Sequence, residues 1–312
     1  MSRSKGTARK TAIPAPRRSI FTREGGGLRT GWLLAAGLFG YALAVPVLRW
    51  ALSEGLAALF GAWNVNSQNA HLAPGWARLF YAWQNSLVGA FSCLALLTVS
   101  HWLRRLWLGR TPVTGFSPTA LLRPAAAGLC LALVVATLSL IPDSSRLEWP
   151  LTRPRWGVGA LALCLFGLLS ALAGEAFGKR VLYDGLKERW GRAWATVVAG
   201  AAYFLANRGW AGNVPCAVNA LLLGLAGCLL YERHGLWAAV GFRWAWSAAV
   251  ALLLGFGGGD AALYRLYGVS EILLTGGDGG PACGLWLTLL LAAGIGWSFM
   301  KARRHGRGRI DQ

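Results

Sequence analysis

Apolar runs of bilayer-crossing length recur along this chain and leave it few folds to choose from. A helical span needs about 20 apolar residues to cross about 30 Å of hydrocarbon. Runs of that kind fall at about 32–52, 79–103, 119–141, 157–178, 193–210, 214–231, 235–256 and 283–300. The fifth and sixth are short and closely joined. Residues 53–63 read as an interfacial helix. Only 14% of the 312 residues are charged, against about 25% in soluble domains. That leaves too little polar surface to cover a water-soluble globule. The expected fold is all-α, a polytopic transmembrane helical bundle of about eight spans over 32–300. Basic, disordered tails are expected at 1–31 and 301–312.

Charge distribution gives this bundle a sidedness. The net charge of +19 is concentrated at the ends. Residues 1–31 hold eight Lys/Arg against Glu24, and residues 301–312 hold five against Asp311. With the N-terminus inside, successive inner segments carry eight, three, five, one and five Lys/Arg. Outer segments carry none, three, one and one, and the flanking Arg49 and Arg78 add two. The excess of 22 over 7 favours an even number of spans with both termini in the cytoplasm of a cell membrane. The basic tails then face anionic lipid, so the bilayer is the expected partner. No nucleic-acid recognition motif accompanies the charge, so nucleic acid is not an expected partner.

The remaining chemistry-bearing residue types are sparse. Cys93, Cys130, Cys164, Cys216, Cys228 and Cys283 form no CxxC pair and mostly lie in apolar runs. They are expected to be reduced and to act as small apolar side chains. His71, His101, His234 and His305 sit in loops or at helix ends, which leaves Cys216 without a base to activate it as a nucleophile. No His/Asp/Glu cluster has metal-ligand spacing, so neither a metal nor another cofactor is expected. The Gly-rich stretch 257–282 lacks the strand–Gly–Lys–Ser/Thr–helix setting of a phosphate loop and reads as a flexible connector.

Ionisable groups inside spans are costly and therefore mark candidate sites. Glu175 lies near the inner end of the fourth span, five residues before Arg180 (G-E-A-F-G-K-R). Asn207 ends the fifth (Y-F-L-A-N-R-G). Arg243 lies in the seventh, with Ser247 one turn on. Helix rise places Glu175 about 6–8 Å and Arg243 about 12 Å from the inner ends of their helices. A lone acid and a lone base at similar depth are expected to pair, since an uncompensated charge there costs several kcal/mol. Asn207 fits less easily: a span starting at 193 carries it about 21 Å toward the outer side.

The segment from Glu175 to about residue 250 resembles the CAAX-protease and bacteriocin-processing (CPBP, or Abi) family of intramembrane endopeptidases. The family motifs EExxxR, FxxxH and HxxxN have counterparts in E-A-F-G-K-R at 175–180, F-L-A-N at 204–207 and R-W-A-W-S at 243–247. L-L-Y-E-R-H-G-L-W-A-A at 229–239 precedes the last of these. The resemblance covers about 75 residues directly, within a family-like core at about 157–256. It implies a helical membrane fold with a site built from Glu175, Arg180, Asn207, Arg243 and Ser247. In the family the paired Glu and the two His activate water and stabilise the oxyanion. Here the second Glu is Ala176, the His positions hold Asn207 and Arg243, and Ser247 stands in the Asn position. Asn cannot take a proton at neutral pH and Arg stays protonated. Losing general acid–base partners costs about 10²–10⁴-fold each. The resemblance therefore implies a non-catalytic scaffold or regulator that binds a membrane-protein or lipid-modified partner. The alternatives are a divergent endopeptidase relying on Glu175, and a small transporter or channel with Glu175 and Arg243 along its path.

Overall fold

The computed structural model describes residues 47, 48, 50–62, 75–108, 116–141, 145–148, 156–206, 214–256, 265–268 and 272–307. Most of the first apolar run, the N-terminal tail and Asn207 lie outside them. The described chain is helical apart from one short ribbon. Its long helices are α1 (Gly75–Leu108), α2 (Pro118–Leu140), α3 (Trp156–Glu175), α4 (Asp184–Ala206), α5 (Val214–His234), α6 (Leu236–Ala248) and α7 (Leu285–Arg307). Residues 50–62 are also helical and cover most of the stretch 53–63. Among the described residues, four helices, Leu87–Arg105, Pro118–Leu140, Val214–His234 and Leu236–Leu253, are long and apolar enough to cross a membrane, and Leu285–Ser298 is a shorter apolar helix.

The helices carry large apolar side chains on their outer faces as well as in the core. Leu122, Leu129 and Leu133 of α2, Leu161 and Leu165 of α3, and Trp297 and Met300 of α7 are exposed, while Glu175, Lys179 and Asn219 are buried. Ser92, Ser100 and Ser139 each donate to the carbonyl four residues back in their own helix, which satisfies a hydroxyl without a neighbour.

Helix direction reverses along the chain, so spatial neighbours are parallel in some pairs and antiparallel in others. α2 packs parallel to α6: Leu121 clusters with Leu236 and Val240, and Val135 clusters with Trp246 and Ala249. A side chain at Gly128 or Gly241 would strike the other helix's backbone, Phe242 and Leu121 respectively. Small residues there let the backbones touch, the commonest device for helix association without a hydrophobic drive. α3 runs antiparallel to α6: Leu172 and Ala176 line one cavity with Leu236 and Trp237, and Ala160 lines another with Trp244 and Ala248. Between them the Trp244 indole N–H donates to the Cys164 carbonyl (3.0 Å) and Arg243 meets Glu175.

The link from α3 to α4 differs from the expected loop at 179–192. The helix does not stop at residue 178. It continues through a π-helical segment, Ala176–Tyr183, and on to residue 190. Gly191 then reverses the chain with φ 81° and ψ 173°, a conformation only glycine adopts without strain. Residues 192–206 pack back on the segment they follow, as Leu182, Tyr183 and Leu186 cluster with Ala195 and Ala199. Gly235 (φ 82°) makes the corresponding reversal between α5 and α6 at the same end of the bundle.

Three further departures remain, the first two at the opposite end. Residues 257–282 are not a plain connector. Strand β2 (Arg265–Gly268) pairs antiparallel with β1 (Ser145–Glu148), setting Arg146 opposite Tyr267 and Glu148 opposite Arg265. A helical turn at Ile272–Thr275 and two 3-10 turns follow. The run L-Y-R-L-Y has strand-forming residues, and pairing gives its backbone partners. Cys216 and Cys283, expected to be reduced, form a disulfide, because α5 and α7 begin side by side. Asn219 secures the same junction: its amide donates to the carbonyls of Ala282 (3.0 Å) and Gly284 (2.8 Å), and its oxygen accepts from Thr288 (2.7 Å). Finally, α7 runs through Lys301 to Arg307, so this part of the tail expected to be disordered is helical. Its residues Lys301, Ala302, Arg303 and Arg304 are good helix formers, and basic charge suits a helix C-terminus.

Non-reducing peptide mapping should recover the peptides carrying Cys216 and Cys283 joined to each other and separated by reductant. Recovery of both as free thiols from an unreduced membrane preparation would contradict this arrangement.

Candidate functional site: a buried carboxylate held by two cations

Glu175 is the last residue of α3 and is only 3% exposed. Two cations reach it. The Arg243 Nη1 donates to Oε1 at 3.2 Å from α6. The Lys179 Nζ lies 3.8 Å from Oε2, one turn further along the same helix. The expected Glu175–Arg243 pair is therefore present, but it belongs to a three-membered cluster.

Lys179 is the residue that sequence reasoning missed. Drawing the span to 178 made Lys179 a loop charge, yet it is 2% exposed. Its Nζ donates to the Gly224 carbonyl (3.1 Å) and to the Cys228 Sγ (3.2 Å), both on α5. The signal was the i, i+4 spacing from Glu175, which puts acid and base on one helix face. Lys179 thus ties α3 to α5 while Arg243 ties α3 to α6. Arg243 also stacks on Tyr203, its guanidinium carbon 4.8 Å from the ring centroid, so the second half of α4 joins the same node.

Tyr203 is the α4 residue that reaches this cluster. Glu175 is followed by helix down to residue 190, so it sits deeper in the bundle than a span ending at 178 allows. Tyr203 meets it there. Asn207 lies outside the described residues. Ser247 is not part of the cluster: it is exposed. Leu236, Val240 and Trp246 of α6 are buried. Arg180 also points away from the cluster's chemistry. It lines a second cavity with Arg104 and His101.

Little space remains around the carboxylate. The cavity beside it measures about 10 Å³ and is lined by Glu175, Tyr203, Gly227, Phe242, Arg243 and Trp246, among others. One water needs about 10–15 Å³, and small-molecule sites run to about 300–1,000 Å³. Among the described residues, no group of three or more His, Cys, Asp or Glu could hold a metal ion.

Below the cluster, a polar network closes the end where Gly191 and Gly235 turn. The Tyr183 hydroxyl donates to Glu232, which also pairs with Lys187 (3.2 Å) and Arg192. The Tyr231 hydroxyl donates to Asp184 at 2.7 Å. Burial pushes the Asp184 carboxyl above its ordinary range; the Tyr231 hydrogen bond and the charges of Arg104, Lys187 and Arg180 oppose that shift.

Compared with protein-family models, curated proteins and solved structures, the chain matches none.

A Cβ on Gly174 would collide with the Arg243 Nη1, whereas one on Gly178 meets nothing within 4 Å. Gly174→Ala should therefore lower the thermal unfolding midpoint in mild detergent, at a cost of about 1–3 kcal/mol for overpacking. Gly178→Ala should leave it unchanged or raise it slightly. Equal effects of the two would refute the close approach of Arg243 to α3.

Proposed function

We propose that the chain is a multi-pass protein of the cell membrane, with about eight spans and both termini in the cytoplasm. It shares the architecture of the CAAX-protease and bacteriocin-processing family and works without catalysis, as a scaffold or regulator for a membrane-protein or lipid-modified partner. The membrane reading draws on the four long apolar helices and the apolar side chains that cover their outer faces. The alternation of helix direction fits the charge asymmetry, which assigns the Gly191 and Gly235 turns to the cytoplasmic side. The disulfide then falls on the outer side, where disulfides persist.

The observation that carries the non-catalytic reading is the occupied carboxylate. A general base must hold a water or substrate proton within about 2.6–3.2 Å. Glu175 Oε1 accepts from Arg243 instead, and the adjoining cavity of about 10 Å³ admits no peptide. Arg243 remains protonated and cannot replace the missing base. A second reading, a divergent endopeptidase, is favoured by one feature: Glu175 Oε2 is buried and accepts no hydrogen bond among the described residues.

Membranes containing the protein should leave a prenylated peptide reporter uncut above background. Cross-linking should retrieve a membrane or lipid-modified partner whose capture is lost with Glu175→Ala, since that change opens the node joining four helices. Cleavage abolished by Glu175→Gln would overturn the scaffold reading in favour of the endopeptidase. Fusion reporters at the two ends should both report a cytoplasmic location, and opposite locations would overturn the topology.

A further inference from the structure

The end of the bundle with the Gly191 and Gly235 turns presents indole rings to its surroundings. Trp102 of α1, Trp190 and Trp194 of α4 and Trp297 of α7 are each between 51% and 66% exposed. Contacts put them near one level. His101 and Arg104 of α1 line a cavity with Arg180 and Leu236. Arg233, in the last turn of α5, donates to the Ser298 carbonyl of α7 (2.9 Å). Leu182 and Leu186 cluster with Ala195, and Tyr183 donates to Glu232. An indole has an apolar body and a polar N–H, so exposed tryptophans gather where a bilayer meets water.

Helix length agrees with that level. The helix from Trp156 to residue 190 is about 50 Å long by its rise. It therefore outreaches the hydrocarbon layer of about 30 Å. The end that emerges is the polar one, where Lys187, Glu188, Arg189 and Arg192 are exposed. Trp190 and Trp194 flank the Gly191 reversal at that end.

Charge here is one-sided even with every acid counted. Residues 101–105, 180–194 and 230–235 hold seven Lys/Arg against three acids, a net charge of +4. Two of the acids are engaged. Asp184 accepts from Tyr231 (2.7 Å), and Glu232 is held by Tyr183, Lys187 and Arg192. Glu188 is exposed beside Arg189. Arg105 and Arg189 are exposed and belong to none of the ion pairs among the described residues.

We propose that the Gly191 turn and the adjoining ends of α1 and α5 form a docking surface for anionic phospholipid. Trp190 and Trp194 sit at the boundary between acyl chains and headgroups, and Arg105 and Arg189 meet the lipid phosphates. The inference rests on the membrane reading proposed above. Charge complementarity selects the occupant: anionic lipid attracts a cation beside the membrane by about fivefold in affinity, and guanidinium matches phosphate in geometry. The exposed rings tie those cations to the depth of the headgroups, which an acidic protein or a nucleic acid in solution would not require. The surface also continues into α3 without a break in the helix, so lipid held there fixes the depth of Glu175.

The test places the full chain in nanodiscs of phosphatidylcholine, with and without phosphatidylglycerol. Retained lipid is read by native mass spectrometry, and order in 184–197 by hydrogen–deuterium exchange. Phosphatidylglycerol should be retained in preference to phosphatidylcholine and should slow exchange in 184–197. Arg189→Gln should lower that preference about fivefold, and Glu188→Gln should raise it. Arg265→Gln, on the ribbon at the opposite end, should leave it unchanged. Trp190→Ala combined with Trp194→Ala should speed exchange of 184–197 in both lipids. Equal effects of Arg189→Gln and Arg265→Gln would reduce the preference to net charge and overturn the surface. Normal entry into nanodiscs with no preference between the lipids would overturn it too, while the membrane reading stood. Failure to enter nanodiscs of either composition would overturn both.

Discussion

A single buried carboxylate fixes the relation of four helices. Glu175 hangs from the end of α3, Arg243 approaches it from α6, and Lys179 carries the contact on to α5. Tyr203 brings α4 in through the Arg243 guanidinium. In an apolar surrounding none of these charges is tolerated alone. Removing one member of such a group costs about 3–5 kcal/mol, because it strands the others. The cluster therefore acts less as a source of net stability than as a device that forbids other packings. Slipping α3 by one turn would bury an unpaired acid and an unpaired base together.

The backbone is adapted to the same requirement. The π-helical segment begins immediately after Glu175 and carries Lys179 and Arg180. π-helical insertions are rare and recur at functional sites. Here the segment separates two cations that are adjacent in sequence: Lys179 enters the buried cluster, and Arg180 lines the neighbouring cavity. Small residues at the helix contacts, Gly128 and Gly241 foremost, bring α2 against α6 and hold the helix bearing Arg243 in position. What the arrangement offers chemically is a neutralised, nearly closed centre beside a larger cavity.

Much of this was readable beforehand. Length and apolarity gave the helices, and matching depth paired Glu175 with Arg243 without any three-dimensional information. The failures have separate physical causes. Lys179 reads as a loop charge because hydropathy falls where the apolar run ends, whereas the helix continues for another three turns. Tyr203 was overlooked because aromatic residues in spans are common, and its role depends on the guanidinium it faces. Ser247 has the right spacing from Arg243 but is exposed. Pairing of Cys216 with Cys283 is set by two helices starting side by side, a relation that no local pattern encodes across 67 positions. The ribbon of β1 and β2 likewise depends on two distant connectors meeting.

The central claim is that Glu175 and Arg243 form one structural unit, and a double-mutant cycle on the unfolding free energy measures that coupling directly. With Glu175→Ala, Arg243→Ala and the double substitution in the same detergent, each single change should destabilise the protein, and the double change should cost clearly less than the two together. Costs that add within about 0.5 kcal/mol, the behaviour of independent sites, would contradict the account.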